Sequence, residues 1–313
     1  MKKKILVVGA TGFLGASVVN FLKNKKIEVL GVSRSTGYDL INYDKCLKLI
    51  KKFRPNIIIN CAGIGGRVHV LKKIPATIFE NNLLITLNLY KSSAFLKSKV
   101  KIINCLCNCG YPKNIKIQKE DFWDQGSVHE SVYTVGTVHR LKSIIGKAWS
   151  EQFGIQTINI IFGGFFGPGD YQDEGRLHAL DGIIFRMLKA KKKKEKIFKI
   201  FGSGEPVREW IFIEDALKAI IVATKIKENV INPINITNNL SLSIKKIALI
   251  VKKIIKYKGK FYFDRSYSDG EKIKKMSNQS KRYFKFFNKI KYSNFENSII
   301  KTVKYYEKKQ ENL

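Results

Sequence analysis

The sequence predicts an α/β protein: a doubly wound parallel sheet interleaved with a second, smaller α/β region. Three observations carry that expectation. A short apolar run, Ile5 to Val8, enters Gly9-x-x-Gly12-x-x-Gly15, and an amphipathic segment follows at once. Apolar runs then alternate with amphipathic segments as far as about Phe166, as in βαβ units with helices on both faces of a sheet. There glycine and proline cluster, at Gly163-Gly164 and Gly167-Pro168-Gly169, and read as a loop crossing to the second region.

Taken in order, the first strand covers residues 4–8. In the turn after it, Gly9 allows a tight bend, Gly12 lets backbone approach a pyrophosphate, and Gly15 lets the next helix pack against the strand. That helix, residues 16–25, aims its free amides at a dianionic ligand. Gly9, Thr11, Gly12, Phe13, Leu14 and Gly15 are therefore expected to cradle a dinucleotide in a Rossmann domain. The second strand, 28–32, ends at Val32-Ser33-Arg34-Ser35. A carboxylate there would hold the ribose 2′-hydroxyl of NAD(H). Ser33 and Arg34 suit a 2′-phosphate instead, so NADP(H) is expected over NAD(H). Asp39-Leu40 follows, where adenine would lie. Helices 43–53, 75–96 and 131–153 alternate with strands 57–60, 101–106 and 156–162. Beyond the crossing, helices 183–192, 214–226 and 243–256 mix with short strands 199–201, 233–236 and 261–263. Residues 1–165, with a return segment at about 205–238, form the expected dinucleotide domain. Residues 166–313 form the substrate-binding one, and 189–196 read as a solvated loop.

A net charge of +33 invites a nucleic-acid reading. Lysine dominates that charge, however, and is scattered over helix faces and the tail. Neither an RNP-type signature nor zinc-finger spacing occurs. Nucleic acid is not an expected partner, whereas anionic small molecules are. Three glycines break the apolar stretch behind the basic start, so it does not read as a secretory signal, and no other segment has the apolar length of a bilayer span. The five cysteines (Cys46, Cys61, Cys105, Cys107 and Cys109) suit a reducing cytoplasm rather than a disulfide framework. Alternation along a strand puts Cys105, Cys107 and Cys109 on one face. No further ligand pair at zinc-like spacing accompanies them, and no metal is expected.

In order and spacing, further residues resemble the extended short-chain dehydrogenase/reductase family of nucleotide-sugar enzymes, and within it the GDP-L-fucose synthase branch. They are Cys61-Ala62-Gly63, Gly65-Gly66, Asn82, Asn88, Leu106 to Pro112, Tyr133, Gly167-Pro168-x-Asp170, His178, Arg186, Phe201 to Asp215, Phe263-Asp264, Asp269-Gly270 and Lys274. The likeness runs nearly end to end. It implies NADP(H)-dependent 3,5-epimerisation, 4-reduction or both, on a nucleotide-linked and GDP-type 4-keto-6-deoxy sugar, by a homodimer in surface-polysaccharide synthesis. Ala62 and Gly63 would face the cofactor. Arg186, Phe201, Arg208 and Lys274 would hold the nucleotide sugar. Gly164 stands where the family carries a substrate-contacting asparagine.

The family reduces with a Ser, a Tyr and a Lys four residues beyond the Tyr. Positions i and i+4 share a helix face, so the ammonium lowers the phenol pKa from about 10 and lets it pass a proton to the developing alkoxide. The resemblance gives the phenol to Tyr133, which would also touch the cofactor, and the serine position to Cys107. It meets Thr137 where the lysine belongs. A unit charge some 4 Å away is worth about 4 kcal/mol at an effective dielectric near 20. Arg140, at i+7, is a candidate stand-in, against the alternative of a plain surface arginine. For epimerisation the family sets a Cys and a His on opposite sides of the sugar, and Cys109 and His178 fall at those positions. The departures at 107 and 137 leave a second reading, a member that binds NADP(H) or nucleotide sugar as a sensor or subunit.

Overall fold

The computed structural model describes residues 3–65, 71, 73–96, 99–171 and 173–311. β1 (Ile5–Val8), β2 (Val29–Val32), β3 (Ile57–Asn60), β4 (Lys101–Cys107), β5 (Gln156–Phe162) and β9 (Val230–Ile236) form a six-stranded sheet in the order β2-β1-β3-β4-β5-β9. Every pairing in it is parallel. The strands read as unbroken apolar runs because each side of the sheet has its own core, and period-two alternation deals residues to both. Ile5, Val7, Ile57 and Ile59 pack with Val18 and Leu22 of α1 (Phe13–Asn24) and Ile220 of α6 (Ile213–Lys225). Leu6, Val8 and Ile58 pack with Leu49 and Ile50 of α2 (Tyr43–Phe53) and Leu89 of α3 (Pro75–Ala94). α4 (Tyr133–Phe153) lies beside α3.

Three buried asparagines cross the sheet in register. Asn60 faces Asn104, which faces Asn159. Asn60 Nδ2 donates to Asn104 Oδ1 at 3.2 Å, Asn104 Nδ2 to Asn159 Oδ1 at 2.9 Å, and Asn159 Nδ2 to the Ile231 carbonyl at 2.6 Å.

A second core gathers α5 (Ala179–Lys192), β7 (Ile197–Phe201), α7 (Ile244–Ile255) and the C-terminal helix α9 (Phe295–Glu311). β7 pairs in parallel with β11 (Lys260–Asp264). The stretch read as a crossing loop holds a strand, β6 (Gly164–Phe166), which pairs with β8 (Val207–Phe212). β10 (Ser241–Ser243) completes that three-stranded sheet. A short helix, α8 (Lys281–Phe286), precedes α9. Lys189 to Lys192 are not loop but the last turn of α5, where Ala190 is buried and the exposed Lys189, Lys191 and Lys192 meet the negative end of the helix dipole.

Candidate active site

After β1 the chain runs outward to β2 and then returns past β1 to β3. At such a reversal the carboxyl ends of the strands leave a crevice, and a cleft of about 490 Å³ opens there. The glycine turn forms its first wall. Gly9 has φ +81° and lies so close to Cys61-Ala62 that a Cβ would come within 2.8 Å of the Ala62 Cα. A Cβ on Gly15 would stand 2.1 Å from the Gly9 carbonyl oxygen, so helix and turn meet at a distance that only glycine permits. Gly12 is the N-cap of α1. It supplies no capping side chain, and the first turn carries no acid, so the helix amides remain available to an anion.

Gly12, Phe13, Leu14, Gly15, Ala62 and Gly63 line the cleft. Thr11 lies just outside, its Oγ1 3.1 Å from Ser35 Oγ. At the end of β2, Ser33 and Thr36 cap each other across a short turn that leaves Arg34 exposed among hydroxyls. That charge and donor set fits a 2′-phosphate. Asp39 Oδ1 accepts from the Ile41 amide at 3.3 Å, and Leu40 is buried. Asn88 donates to the Leu40 and Ile41 carbonyls, while Asn82 holds both backbone groups of Ile64. Two buried amides therefore fix the loops flanking the crevice. Gly66 lies outside the described residues.

Across the cleft stands His178, the N-cap residue of α5. Its Nδ1–H donates to Asp170 Oδ1 at 2.9 Å, and its amide donates to Oδ2 at 2.8 Å. The Asp170 side chain is fully buried. Such a carboxylate fixes the tautomer and leaves Nε2 as the working nitrogen. β4 ends at Cys107, and Cys109 follows on a 3₁₀ turn rather than on the strand, yet both line the cleft. The Cys109 amide donates to Cys107 Sγ at 3.4 Å. Hydrogen bonding from the neighbouring Cys109 thiol, aided by Lys274 and His178, lowers Cys107 to about 6. The same contact and burial push Cys109 well up.

Tyr133 is the main correction. Its side chain is 55% exposed and is not among the cleft-lining residues. The α4 residues that do line the cleft are Val135, Val138, His139 and Lys142, a stripe at i, i+3, i+4 and i+7. Tyr133 lies two positions before Val135, some 200° around the helix. The i, i+4 pair lining the cleft is thus Val135 and His139, not Tyr133 and Thr137. Arg140 is neither stand-in nor idle surface charge: its guanidinium donates to the carbonyls of Gly110, Gln125 and Gly126 at 2.5–2.9 Å and fastens that loop. The phenol that does line the cleft, Tyr171, reaches over Gly12, with Arg176 stacked 4.0 Å from its ring centroid.

His139 and Lys142 escaped the sequence reading, which anchored the helix on its one tyrosine. Lys142 is 1% exposed and donates to the Ala62 carbonyl at 2.9 Å. Burial lowers its ammonium to about 8. His139 Nδ1 accepts from the Cys107 amide at 3.3 Å, and burial with the Lys142 charge holds its ring well below the usual histidine range. Cys107, Cys109 and His139 offer ligand atoms within 4.8 Å of one another, a set hidden from cysteine spacing because its third member comes from α4.

Arg208 and Lys274 line the cleft, Arg208 donating to the Val207 and Asp269 carbonyls and Lys274 lying 3.5 Å from Glu271. Arg186 and Phe201 do not. They stack on each other at 4.4 Å, and Phe201 stacks on Tyr267 at 4.5 Å. Gly164 lines the cleft with backbone alone.

Known proteins resemble this chain. A Drosophila melanogaster protein named "Probable GDP-L-fucose synthase" is 28% identical, with 97% of each chain covered. The GDP-L-colitose synthase of Yersinia pseudotuberculosis is also 28% identical, again with 97% of each covered. The crystal structure of a GDP-L-fucose synthetase from Naegleria fowleri bound to NADP superposes with a TM-score of 0.85 at 26% identity, covering 99% of this chain and 96% of that one. A family model matches residues 5–237. With that match over most of its length, the chain belongs to the NAD dependent epimerase/dehydratase family.

Proposed function

We propose that this protein is a cytoplasmic, NADP(H)-dependent enzyme that epimerises a GDP-linked 4-keto-6-deoxy sugar, in a pathway to surface polysaccharide. The observation that carries this reading is the His178–Asp170 pair facing the same cleft as Cys109. Carbons beside the C4 ketone are acidic because the ketone can hold an enolate's charge. His178 Nε2 takes a ring proton, and the Cys109 thiol, whose pKa its neighbour and burial raise, returns one from the other side. Arg208 and Lys274 take the diphosphate, and Arg186 with Phe201 takes the outer part of the nucleotide. The relatives' names support the GDP-sugar class. The bare α1 N-terminus, the Arg34 turn and the NADP-bound neighbour support the cofactor. Held by the glycine turn and the Arg34 turn, NADPH would be the source of hydride in any reductive half. Residues 1–165 with 205–238 form the cofactor-binding domain, which also lends Cys109 and Arg208 to the substrate, and the rest of 166–313 forms the sugar-binding domain, in a homodimer.

One observation favours a second reading, an epimerase or binder without reductase activity. Val135 and His139 occupy the helix positions that face the chemistry. Incubation with GDP-4-keto-6-deoxymannose and NADPH in deuterated water tests both. Deuterium at C3 or C5 supports the epimerase, and NADPH consumption decides the reductive half. Neither signal, alongside retained binding, would leave the protein a binder.

A further inference from the structure

The thiols of Cys107 and Cys109 and the ring of His139 converge where β4 ends, one ligand atom from each lying within 4.8 Å of the others. We propose that these three side chains form a binding site for a soft divalent cation of the Zn²⁺ type, with the fourth coordination position open to the cleft.

Chemistry and geometry agree on this. Two thiolates and an imidazole suit zinc, and three protein ligands with one open position is an established zinc arrangement. Zn–S and Zn–N bonds of about 2.3 and 2.0 Å, in a tetrahedron, place the ligand atoms about 3.5–3.8 Å apart. The three atoms therefore close by at most about 1.3 Å, within reach of side-chain rotation. The backbone already aims the ligands. The Cys109 amide holds Cys107 Sγ at 3.4 Å, and the His139 Nδ1 lone pair faces residue 107, where it accepts a long 3.3 Å bond. A dication competes for that lone pair, and the displaced thiol protons leave to solvent. All three residues line the cleft, so a hydrated ion has an entry path. Cys61 and Cys105 lie with their sulfurs 3.8 Å apart as a separate pair.

Occupancy has a consequence for the proposed activity, and that consequence rests on the reading above: a Cys109 sulfur bound to metal cannot exchange a ring proton, so zinc stops epimerisation. Binding itself does not depend on that reading. The test titrates Co²⁺ into the reduced, chelator-treated full chain. One equivalent should produce thiolate-to-cobalt charge transfer with tetrahedral d–d bands, both removed by Zn²⁺. Cys107→Ser and His139→Gln should each weaken binding at least tenfold, and Cys46→Ser should leave it unchanged. No bands, an octahedral spectrum, or full affinity in His139→Gln overturns the site. If those variants fail to fold, X-ray absorption of the zinc-loaded wild type decides: two sulfurs with one imidazole supports it, and four sulfurs overturns it. Zinc that binds as described without stopping solvent exchange would sink the assignment of Cys109 to proton transfer and leave the metal site standing.

Discussion

Tyr133→Phe should change turnover by less than about twofold, because an exposed side chain on the far face of α4 contributes within about 0.5 kcal/mol. Steady-state kinetics checks it, and a loss of 10²-fold would return the phenol to the chemistry. Asp170→Asn should do the opposite. It removes the charge that orients His178, and solvent-deuterium exchange should fall by about 10²-fold, toward the low end of what general acid–base catalysis contributes. Lys142 supplies a test through pH. Its folded pKa, about 8, lies below the value of about 10.4 expected in the unfolded chain. Between those values the unfolded chain binds the additional proton, so stability rises as pH climbs from about 8 to about 10.4. Below 8 the cost of burying the ammonium is fully present. Lys142→Met should abolish that rise and be the more stable protein at pH 7. Urea melts of both proteins across pH 7–10.5 measure the difference, and parallel curves would show that the ammonium is not desolvated.

The asparagine ladder links three strands at the element scale. Asn104 sits at its centre, donating to Asn159 and to the Tyr90 hydroxyl while accepting from Asn60. Asn104→Ala strands buried polar partners on both neighbouring strands, at about 1–3 kcal/mol for each unsatisfied group. Stability should fall by about 3 kcal/mol in denaturant melts. A loss under 1 kcal/mol would mean that water replaces the amide. This ladder also marks where the sequence stopped being legible. The strands were readable because both faces of a parallel sheet are buried, which leaves apolar runs such as Ile57 to Ile59. The glycine turn was readable because close packing forbids a Cβ at Gly15. Short pairings such as β6 with β8 were not, since three residues including Gly164 carry no periodicity. α9 hid behind its lysines, although Ile299, Val303 and Tyr306 recur at i, i+4 and i+7. Within the site, Cys107, Cys109 and His178 were legible as a pattern along the chain. His139 and Lys142 were not, because which face of α4 meets the sheet is decided by tertiary packing, and a phase error of two residues moved the inferred pair to the wrong side.

The whole molecule carries 58 basic against 25 acidic side chains, and its proposed ligands are polyanions. Such a field raises encounter rates without touching the bond-making step. Screening shortens its reach from about 10 Å at 0.1 M salt to about 3 Å at 1 M. Raising KCl across that range should therefore lower kcat/KM for the nucleotide sugar by about tenfold, while kcat stays within about twofold. The separation has a structural origin. In the proposed reaction His178 and Cys109 would act at short range inside the cleft, with the fully buried Asp170 carboxylate beside His178, where salt screens poorly. The lysines of α5 and the other exposed cations act through solvent, where it screens well. A neutral ligand of similar size should show no such slope, which separates the field from a general effect of salt on the fold. Should kcat fall in step with kcat/KM, the charge would be acting on the chemistry itself, and the steering account of this basic surface would fail.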